Sequence, residues 1–515
     1  MTVDAISLAV FQNLYAGAAE AMGAALQRSS FSPNIRERLD FSCAVFDHTG
    51  RMVAQAAHIP VHLGSMPASV ACALAAFPAL HRGDVVILND PYHGGSHLPD
   101  ITMISPVYDS DEIVFYLASR AHHADVGGMS PGSLPLSTEL YQEGLILPPV
   151  LLRLSGWMNE GVFALLLANS RHPEERRGDL EAQLAAHRVG EAQLTKILAE
   201  HGTLRAREHA AALIDYSERL TRAAIAAIPD GEYAYEDALE GDGQSETLIP
   251  IRVVVRVRGD AMQVDFTESA PQVRGNVNAV PAVVQSAVWY CVRLLAEEPI
   301  PMNSGCFAPV EVVTRPGSVL NPRFPAAVAV GNTETSQRVV DVVLGALAQA
   351  LPERIPAASQ GTMNNVAIGG ADFVYYETIA GGHGASAQGD GLSGRQSHMT
   401  NTQNTPVEAL EMAYPLRVWR YQLREGSGGS GQRRGGDGIV REIECLTEAV
   451  ITLNSERRRR LPYGLNGGHP GHVGVQRVVR RQRARPLKAK AIFRARPGDR
   501  LIIETPGGGG WGPTA

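Results

Sequence analysis

The chain has 515 residues, with 46 Lys and Arg against 53 Asp and Glu, which gives a formal net charge of −7. This mildly acidic balance argues against a general nucleic-acid-binding protein, because such proteins present basic surfaces. The apolar fraction of 44% and the charged fraction of 19% are typical of a globular protein and exclude a disordered one.

The N-terminal residues contain no basic segment followed by an apolar one, so we expect no signal peptide. No apolar run reaches the about 18–20 residues that span a bilayer, so no membrane association is expected. The five cysteines are widely spaced and never form a CxxC motif, which argues against a disulfide framework and against a thiolate zinc site. These features predict a cytoplasmic protein.

Hydrophobic periodicity predicts the elements of the N-terminal part. Apolar residues recur every four positions in residues 4–28, which predicts a helix. Short apolar runs between Gly, Pro and Asp predict strands at residues 43–46, 85–88 and 101–104. Because polar loops follow these strands, we expect the loops to carry function.

The middle of the chain is helical in pattern and its end is β-rich. Residues 174–228 contain no Pro and are rich in Ala, Glu, Arg and Leu, which predicts two long helices separated at Gly202 and Thr203. Two strands joined by a hairpin and then two helices are predicted at residues 251–257, 262–266, 283–297 and 337–351. Residues 439–504 are typical of successive strands.

These elements predict a mixed α+β (α/β) protein with several domains and a β-rich C-terminal part. We expect an N-terminal α/β part, a helical segment, a central α/β part and a C-terminal β-rich part, at residues 1–170, 171–240, 241–430 and 431–515.

The first polar loop, residues 89–101, contains two His, two Asp and two adjacent Gly. His97 and Asp100 are three positions apart and Pro99 restricts the turn between them, so one short turn can present both side chains to one ion. His and carboxylate side chains are common ligands of zinc, manganese and iron. The alternative is a turn-rich loop with surface His.

The second polar loop, residues 119–128, follows another apolar run. In an extended segment His123 and Asp125 share a face, whereas in a turn His122 and Asp125 can meet. One of the two neighbouring His is expected to point into a site and the other to support it or face solvent. Two His-containing loops at strand ends favour one shared metal centre. The surroundings of Asp40 by themselves favour an ordinary carboxylate at a strand edge.

Four other motifs are weaker signals. The run of four Arg at residues 457–460 favours a structural or subunit-contact role over phosphate binding in this acidic chain. The Gly-rich residues 506–512 predict a flexible or tightly turned end. Residues 426–431 match GxGxxG without a following helix, and GxxxxGK[ST] is absent from the sequence, so no P-loop is predicted. The polar residues 381–402 either line a substrate cleft or connect elements.

Six stretches, spread over almost the whole chain, resemble the hydantoinase B/oxoprolinase family, the B-type subunits of ATP-dependent N-methylhydantoinases: NDPYHGGSHLPDI, RAHHADVGGMSPGS, ANSRHPEERRGDL, HMTNTQNTPVEALE, SERRRRLPYGLNGGHPG and TPGGGGWG. The resemblance implies a hetero-oligomer with an A-type subunit that binds ATP and phosphorylates the amide oxygen of a cyclic amide. The B-type subunit then supports hydrolytic ring opening of a hydantoin, 5-oxoproline or another lactam.

The resemblance also implies the site residues. The metal ligands it implies are Asp40, His97, Asp100 and His122. Asp125 is the rival for the second carboxylate, and His123 is a rival ligand or an orienting group, so both are the candidate catalytic residues. The implied ion is divalent zinc, manganese or iron, which can lower the pKa of a bound water from about 15.7 toward about 7.

Two alternatives to ring opening follow from the same sequence. One is a subunit of an ATP-dependent ketone carboxylase, which would require bicarbonate. The other is a non-catalytic scaffold for the A-type subunit, which need not bind a metal.

Overall fold

The structure is a computed structural model that describes residues 3–56 and 59–514. These residues form nine α-helices and four β-sheets, which confirms the predicted mixed fold. The helices are α1 (Ala5–Ser29), α2 (Pro33–Arg36), α3 (His62–Ala76), α4 (Glu160–Ala168), α5 (Pro173–His201), α6 (Thr203–Ala226), α7 (Pro281–Arg293), α8 (Ser336–Ala350) and α9 (Val407–Ala413).

The strands of the N-terminal sheet are β1 (Phe41–Asp47), β2 (Met52–Ala56), β3 (Val85–Leu88), β4 (Asp100–Asp109), β5 (Glu112–His122), β6 (Val150–Leu154) and β7 (Trp157–Met158). They form one antiparallel sheet in the order β2-β1-β5-β4-β3-β6-β7. All residues of β1 and β3 are buried, as is typical of strands covered on both faces, and β3 is apolar throughout. The three strands predicted in this part are therefore confirmed.

Helices α1, α5 and α6 pack together beside this sheet. The Asp4 carboxylate caps α1 by accepting hydrogen bonds from the backbone N–H groups of Ile6 and Ser7, both at 2.9 Å. Pro173 begins α5, and Gly202, with a φ of +81°, separates α5 from α6. The predicted pair of long helices and its break are both confirmed.

The second sheet contains β8 (Gly231–Leu239), β9 (Ile249–Arg258), β10 (Ala261–Asp265) and β11 (Val310–Val313), in the order β11-β10-β9-β8. The predicted hairpin is the turn between β9 and β10. The helix predicted at residues 283–297 is α7, which ends at Arg293, earlier than predicted.

The last nine strands are β12 (Asn365–Gly369), β13 (Val374–Glu377), β14 (Leu416–Arg424), β15 (Gly438–Cys445), β16 (Ala449–Asn454), β17 (Val475–Arg480), β18 (Arg483–Pro486), β19 (Lys490–Ala495) and β20 (Arg500–Glu504). They form sheets in the orders β13-β12-β16-β19 and β14-β15-β20-β17-β18, which confirms the β-rich C-terminal part. Both sheets include strands from before residue 431, and the four-part division by residue number stays a prediction.

The four consecutive Arg contribute to a buried ionic network. The Arg457 guanidinium is 2.5 Å from Asp341 and 2.8 Å from Asp237. Arg338 pairs with the same two carboxylates at 2.7 and 3.0 Å. Asp237 lies in the second sheet, Arg338 and Asp341 lie in α8, and Arg457 lies in the C-terminal part, so these buried ion pairs join the three regions. At least the first Arg of the run therefore has a structural role.

The Gly-rich C-terminal residues form the centre of what we call the glycine bundle, residues 507–512 with the segments that surround them. The N–H groups of Gly507, Gly508, Gly509 and Gly510 donate to the carbonyls of four different residues, His472, Gly436, Ala358 and His469. Gly507 and Gly510, three positions apart, both donate to the segment at residues 469–472, as expected for a chain with three residues per turn. These residues are buried, so of the two predicted alternatives the flexible end is wrong.

Within the described ranges, none of the helices combines the length and the hydropathy needed to cross a bilayer. All five cysteines are free thiols, and four of them are buried.

Candidate metal centre

The site lies at one end of the N-terminal sheet, where three adjacent strands begin or end. Asp100 is the first residue of β4 and His122 is the last residue of β5, and the two are directly paired in the antiparallel register. The His122 N–H donates to the carbonyl of Asp40, immediately before β1, at 2.9 Å. Since β5 is antiparallel to both neighbours, its end meets both of their starts, and the two polar loops come together as predicted.

Three ligand atoms form a compact triangle. Asp100 Oδ1 is 3.0 Å from His97 Nε2 and 3.0 Å from His122 Nδ1, and the two ring nitrogens are 3.2 Å apart. Ligands placed about 2.0–2.1 Å from a tetrahedral metal ion are about 3.3 Å from one another. The spacing of this triad, His97, Asp100 and His122, therefore fits one divalent cation.

Neighbouring groups fix the orientation of both rings. His97 Nδ1 is 2.9 Å from the carbonyl of Ala329; when Nδ1–H donates there, Nε2 directs its lone pair at the triad. Metal-ligating His commonly have this arrangement. The His122 ring stacks on Tyr376 with centroids 4.8 Å apart, and the Arg38 guanidinium lies 4.9 Å from the Tyr376 ring centroid. These contacts restrain both rings.

The triad is fully enclosed and its charges are strongly coupled. Burial by itself would raise the pKa of Asp100, yet the charge of His97 and hydrogen bonds from the His rings hold that pKa well below its ordinary value. Burial alone would lower the pKa of His97, but Asp100 raises it above the ordinary value. Burial lowers the pKa of His122. The site therefore favours a positive charge beside an ionised Asp100.

Asp40 is buried near the triad but is not one of its three mutually close ligand groups. Its negative charge acts on both His97 and His122, because it favours the protonated form of each ring. The structure thus brings all four predicted ligand residues into one neighbourhood, with three of them in ligand geometry.

The structure does not bring Asp125 or His123 to the triad. The Asp125 carboxylate accepts hydrogen bonds from the backbone N–H groups of Gly127, Gly132 and Arg171, and pairs with the Arg171 guanidinium at 2.8 Å. His123 Nε2 is 3.0 Å from Gln183 Oε1 on α5, and burial lowers its pKa to about 3. Their catalytic role stays a prediction.

Three polar residues beside the triad were missed by sequence reasoning. Ser96 donates to Asp100 Oδ2 at 2.5 Å, and His62 Nε2 is 3.5 Å from the same oxygen. Asn332 Nδ2 is 3.1 Å from His97 Nε2, and Asn332 Oδ1 is buried without a partner among the described residues. Ser96 lies inside the first motif, whereas His62 and Asn332 carry no local signal.

Asn332 belongs to a short π-helix, Gly331–Thr335, that leads into α8. Such π-helical turns occur frequently at functional sites because they redirect side chains. Here the turn faces the amide toward His97. The amide oxygen lacks a partner among the described residues, and a 180° rotation of the amide would turn this oxygen toward His97 Nε2 in place of the nitrogen.

Comparison with known proteins decides the family. The family model described as hydantoinase B/oxoprolinase matches residues 4–514. The chain belongs to this family. The match covers both polar loops, the helical segment and the glycine bundle, so the family assignment rests on the whole fold and not on the triad alone.

Relatives in this family carry several names. The chain is 40% identical to 5-oxoprolinase 1 of Arabidopsis thaliana over 99% of its own length, but spans only 42% of that protein. It is 32% identical to a protein of Pseudomonas sp. strain NS671 that is named as the B-type subunit of a D-/L-hydantoinase, covering 99% of this chain and 90% of the relative.

A solved structure shares the complete fold. The ATP-dependent caprolactamase from Pseudomonas jessenii superposes with a TM-score of 0.93 at 32% identity, over 100% of this chain and 92% of that one. This likeness confirms the predicted multi-domain α+β architecture.

Proposed function

We propose that the chain is the B-type subunit of an ATP-dependent cyclic amidohydrolase and opens the ring of a hydantoin, 5-oxoproline or another lactam. The single observation that carries the proposal is the buried triangle of His97, Asp100 and His122, in a member of the hydantoinase B/oxoprolinase family. The names of the relatives, 5-oxoprolinase, B-type hydantoinase subunit and caprolactamase, support cyclic amides as the substrate class.

In this proposal, His97, Asp100 and His122 hold a divalent zinc, manganese or iron ion, with Asp40 as the fourth candidate ligand. A metal ion bound there supplies Lewis acidity and lowers the pKa of water toward about 7. His97 keeps its lone pair on the site because its other nitrogen bonds to Ala329. Two carboxylates near the ion would balance a double positive charge.

The proposal includes an A-type partner, because this chain contains no P-loop and amides are poor electrophiles. Phosphorylation of the amide oxygen by the partner would make the carbonyl carbon easier to attack. Two residues would support the protein around the second polar loop. Asp125 would do so through Arg171 and the backbone of its loop, and His123 through Gln183. We further propose a cytoplasmic location, which the free thiols support.

The experiment is co-purification with the A-type subunit followed by an ATP-turnover screen. Wild-type complex is expected to open at least one of hydantoin, 5-oxoproline or a simple lactam without bicarbonate. His97→Ala is expected to lose this activity. His93→Ala is the matched control, because His93 lies in the same motif with an exposed ring paired to Asp90.

Three results would contradict the proposal in different ways. Turnover that requires bicarbonate and a ketone would favour a carboxylase subunit. Full ring opening by His97→Ala with unchanged metal content would remove the triad from the mechanism. Absence of metal from the wild-type chain, with turnover intact after replacement of His122, would favour a scaffold.

A further inference from the structure

The side chain of Asn332 contacts the triad from the π-helix Gly331–Thr335 and is buried, with 4% of its surface exposed. Its amide nitrogen, Nδ2, lies 3.1 Å from His97 Nε2 and 3.5 Å from Asp100 Oδ2. Its amide oxygen, Oδ1, is buried and has no hydrogen-bond partner among the described residues. Buried side-chain oxygens normally have a partner, so this oxygen requires one that the described chain does not supply.

The backbone that carries this side chain is held in place from two sides. A Cβ atom added to Gly331 would overlap the backbone carbonyl of Asn278, so the start of the π-helix packs directly on a neighbouring segment. The hydroxyl of Ser336 donates to the backbone carbonyl of Asn332 at 2.7 Å. The amide is therefore presented to the triad from a fixed position, and rotation of the side chain is its main remaining freedom.

The near end of the amide lies at the spacing of a metal ligand. The three ligand atoms of the triad are separated by 3.0, 3.0 and 3.2 Å. The separation of 3.1 Å between Asn332 Nδ2 and His97 Nε2 falls within the same range. Adjacent atoms bound to one ion at about 2.0–2.2 Å are about 3 Å apart. The atom at this end of the amide is thus placed like a fourth member of the ligand set.

Electrostatics decides which atom of the amide can face a bound ion. His97 Nδ1–H donates to the carbonyl of Ala329, so Nε2 has one lone pair to offer. Without an ion, that lone pair can accept an N–H of Asn332. An ion bound to Nε2 takes the lone pair, and the amide N–H would then face a positive charge. Reversal of the amide removes this repulsion and presents the carbonyl oxygen, which suits divalent ions such as manganese.

We propose that Asn332 Oδ1 is a further ligand of the divalent ion held by His97, Asp100 and His122. The inference rests on the metal centre of the proposed function and adds a ligand from outside the two polar loops. An amide oxygen is neutral, so Asp100 and Asp40 still balance the charge of the ion. The ion then joins the N-terminal sheet to the π-helix that leads into α8, and the buried oxygen gains its partner.

The metal affinity of the purified chain tests this ligand without ATP or turnover. Mn²⁺ and Zn²⁺ are titrated separately, each in competition with a chelating dye. Asn332→Ala is expected to weaken binding of the tighter-bound ion by about tenfold or more. Equal affinity in Asn332→Ala and wild type would overturn the inference.

Thr333→Val is the matched control. It lies in the same π-helix and removes a hydroxyl that contacts Asn365 and the backbone carbonyl of Val330, not the triad. Its metal affinity should match that of the wild type. Equal weakening in Thr333→Val and Asn332→Ala would overturn the inference, because the affinity would then depend on the π-helix and not on the amide.

The orientation of the amide separates a ligand from a residue that only positions His97. A crystal structure of the metal-loaded chain, with the ion located by its anomalous scattering, shows this orientation. We expect Asn332 Oδ1 within about 2.0–2.6 Å of the ion. An ion bound by the triad, with the amide nitrogen still facing His97, would overturn the inference.

Failure of this inference and failure of the proposed function give different results. Unchanged affinity in Asn332→Ala, together with ring opening by the wild-type complex, overturns the inference and leaves the function. Weakened affinity in Asn332→Ala, together with no ring opening by the wild-type complex, supports the inference and contradicts the function. A wild-type chain that binds neither ion would overturn the inference and the metal centre together.

Discussion

The triad and the glycine bundle exclude water by opposite means. At the triad, the backbone is regular sheet and the side chains do the chemistry: three charged or ionisable groups occupy one small space between packed rings. Along residues 507–510 of the glycine bundle, side chains are absent, and backbone segments approach one another until their peptide groups touch. Both regions are buried, and neither follows the usual pattern of a hydrophobic core.

The difference predicts how each region responds to change. The triad is supported by β1, β4 and β5, whose hydrogen bonds do not depend on the ligating side chains. Replacing a triad residue should therefore alter metal binding and leave the fold. The glycine bundle has no spare volume, so any added Cβ atom should damage the fold.

The largest effect is expected from Gly508→Ala. A Cβ atom there would lie 1.9 Å from the His383 carbonyl oxygen, and backbone atoms cannot yield as a side-chain tip can. We expect a loss of more than about 4 kcal/mol in the free energy of unfolding, or no folded protein. Gly389→Ala is the control, because nothing lies within 4 Å of its added Cβ. Equal urea-unfolding midpoints for both variants would refute close backbone packing in the bundle.

Arg457→Met tests whether the ionic network belongs with the structural region. It leaves the buried Asp237 and Asp341 carboxylates with too few cations. The expected cost is about 3–5 kcal/mol in the free energy of unfolding. Arg485→Met, at an exposed position on β18, should cost little. Chemical denaturation compares the two variants. A small loss of unfolding free energy for Arg457→Met would mean that water or Arg338 compensates for the missing cation.

Asp100→Asn tests the functional region with a substitution of equal size. It removes the negative charge that both His rings face, so divalent-metal affinity should fall about a hundredfold or more. The metal-free variant should still fold, with a lower melting temperature, because the buried His rings lose the carboxylate that they face. Competition with a chelating dye measures the affinity. An unchanged affinity would show that Asp40 or another group is the main carboxylate ligand.

Glu334→Gln, in the π-helix beside the triad, has the smallest expected effect and depends on pH. Burial raises the pKa of Glu334 from 4.5 to about 7. The carboxyl therefore contributes its full stability below about pH 4.5, and that contribution is lost as pH rises through about 7. The variant mimics the protonated form, so its stability advantage should be near zero at pH 5 and about 1–3 kcal/mol at pH 8.

Denaturation at pH 5 and pH 8 checks this sign. An advantage that is larger at pH 5 than at pH 8 would contradict an elevated pKa for Glu334 and would require an ionised carboxylate inside the protein.

Local sequence predicted the helices and strands well because their signals are local. The periodicity of residues 4–28 and the break at Gly202 each follow from neighbouring residues alone. That the two polar loops share one centre was predicted because both loops follow apolar strands, whereas the choice of His122 over His123 came from the family resemblance. Asp100 and His122 are paired across two strands, and the register of those strands could not be predicted from the sequence.

What was missed depends on long-range contacts. Asn332 reaches His97 from 235 positions away, and no local motif marks it. Asp125 has the residue type of a ligand, but its loop uses both oxygens for backbone N–H groups and Arg171. The Gly-rich end suggested flexibility because glycine by itself can adopt many backbone conformations. Its rigidity comes from the several chain segments that contact it.

The most direct test of the triad as a metal centre is the metal content of the purified chain, measured by elemental analysis after extensive dialysis. We expect about one equivalent of divalent zinc, manganese or iron in the wild type and in His93→Ala, and almost none in His97→Ala. The three proteins should have matching circular dichroism spectra. Equal metal content in His97→Ala and wild type would contradict the assignment of the triad as the metal centre.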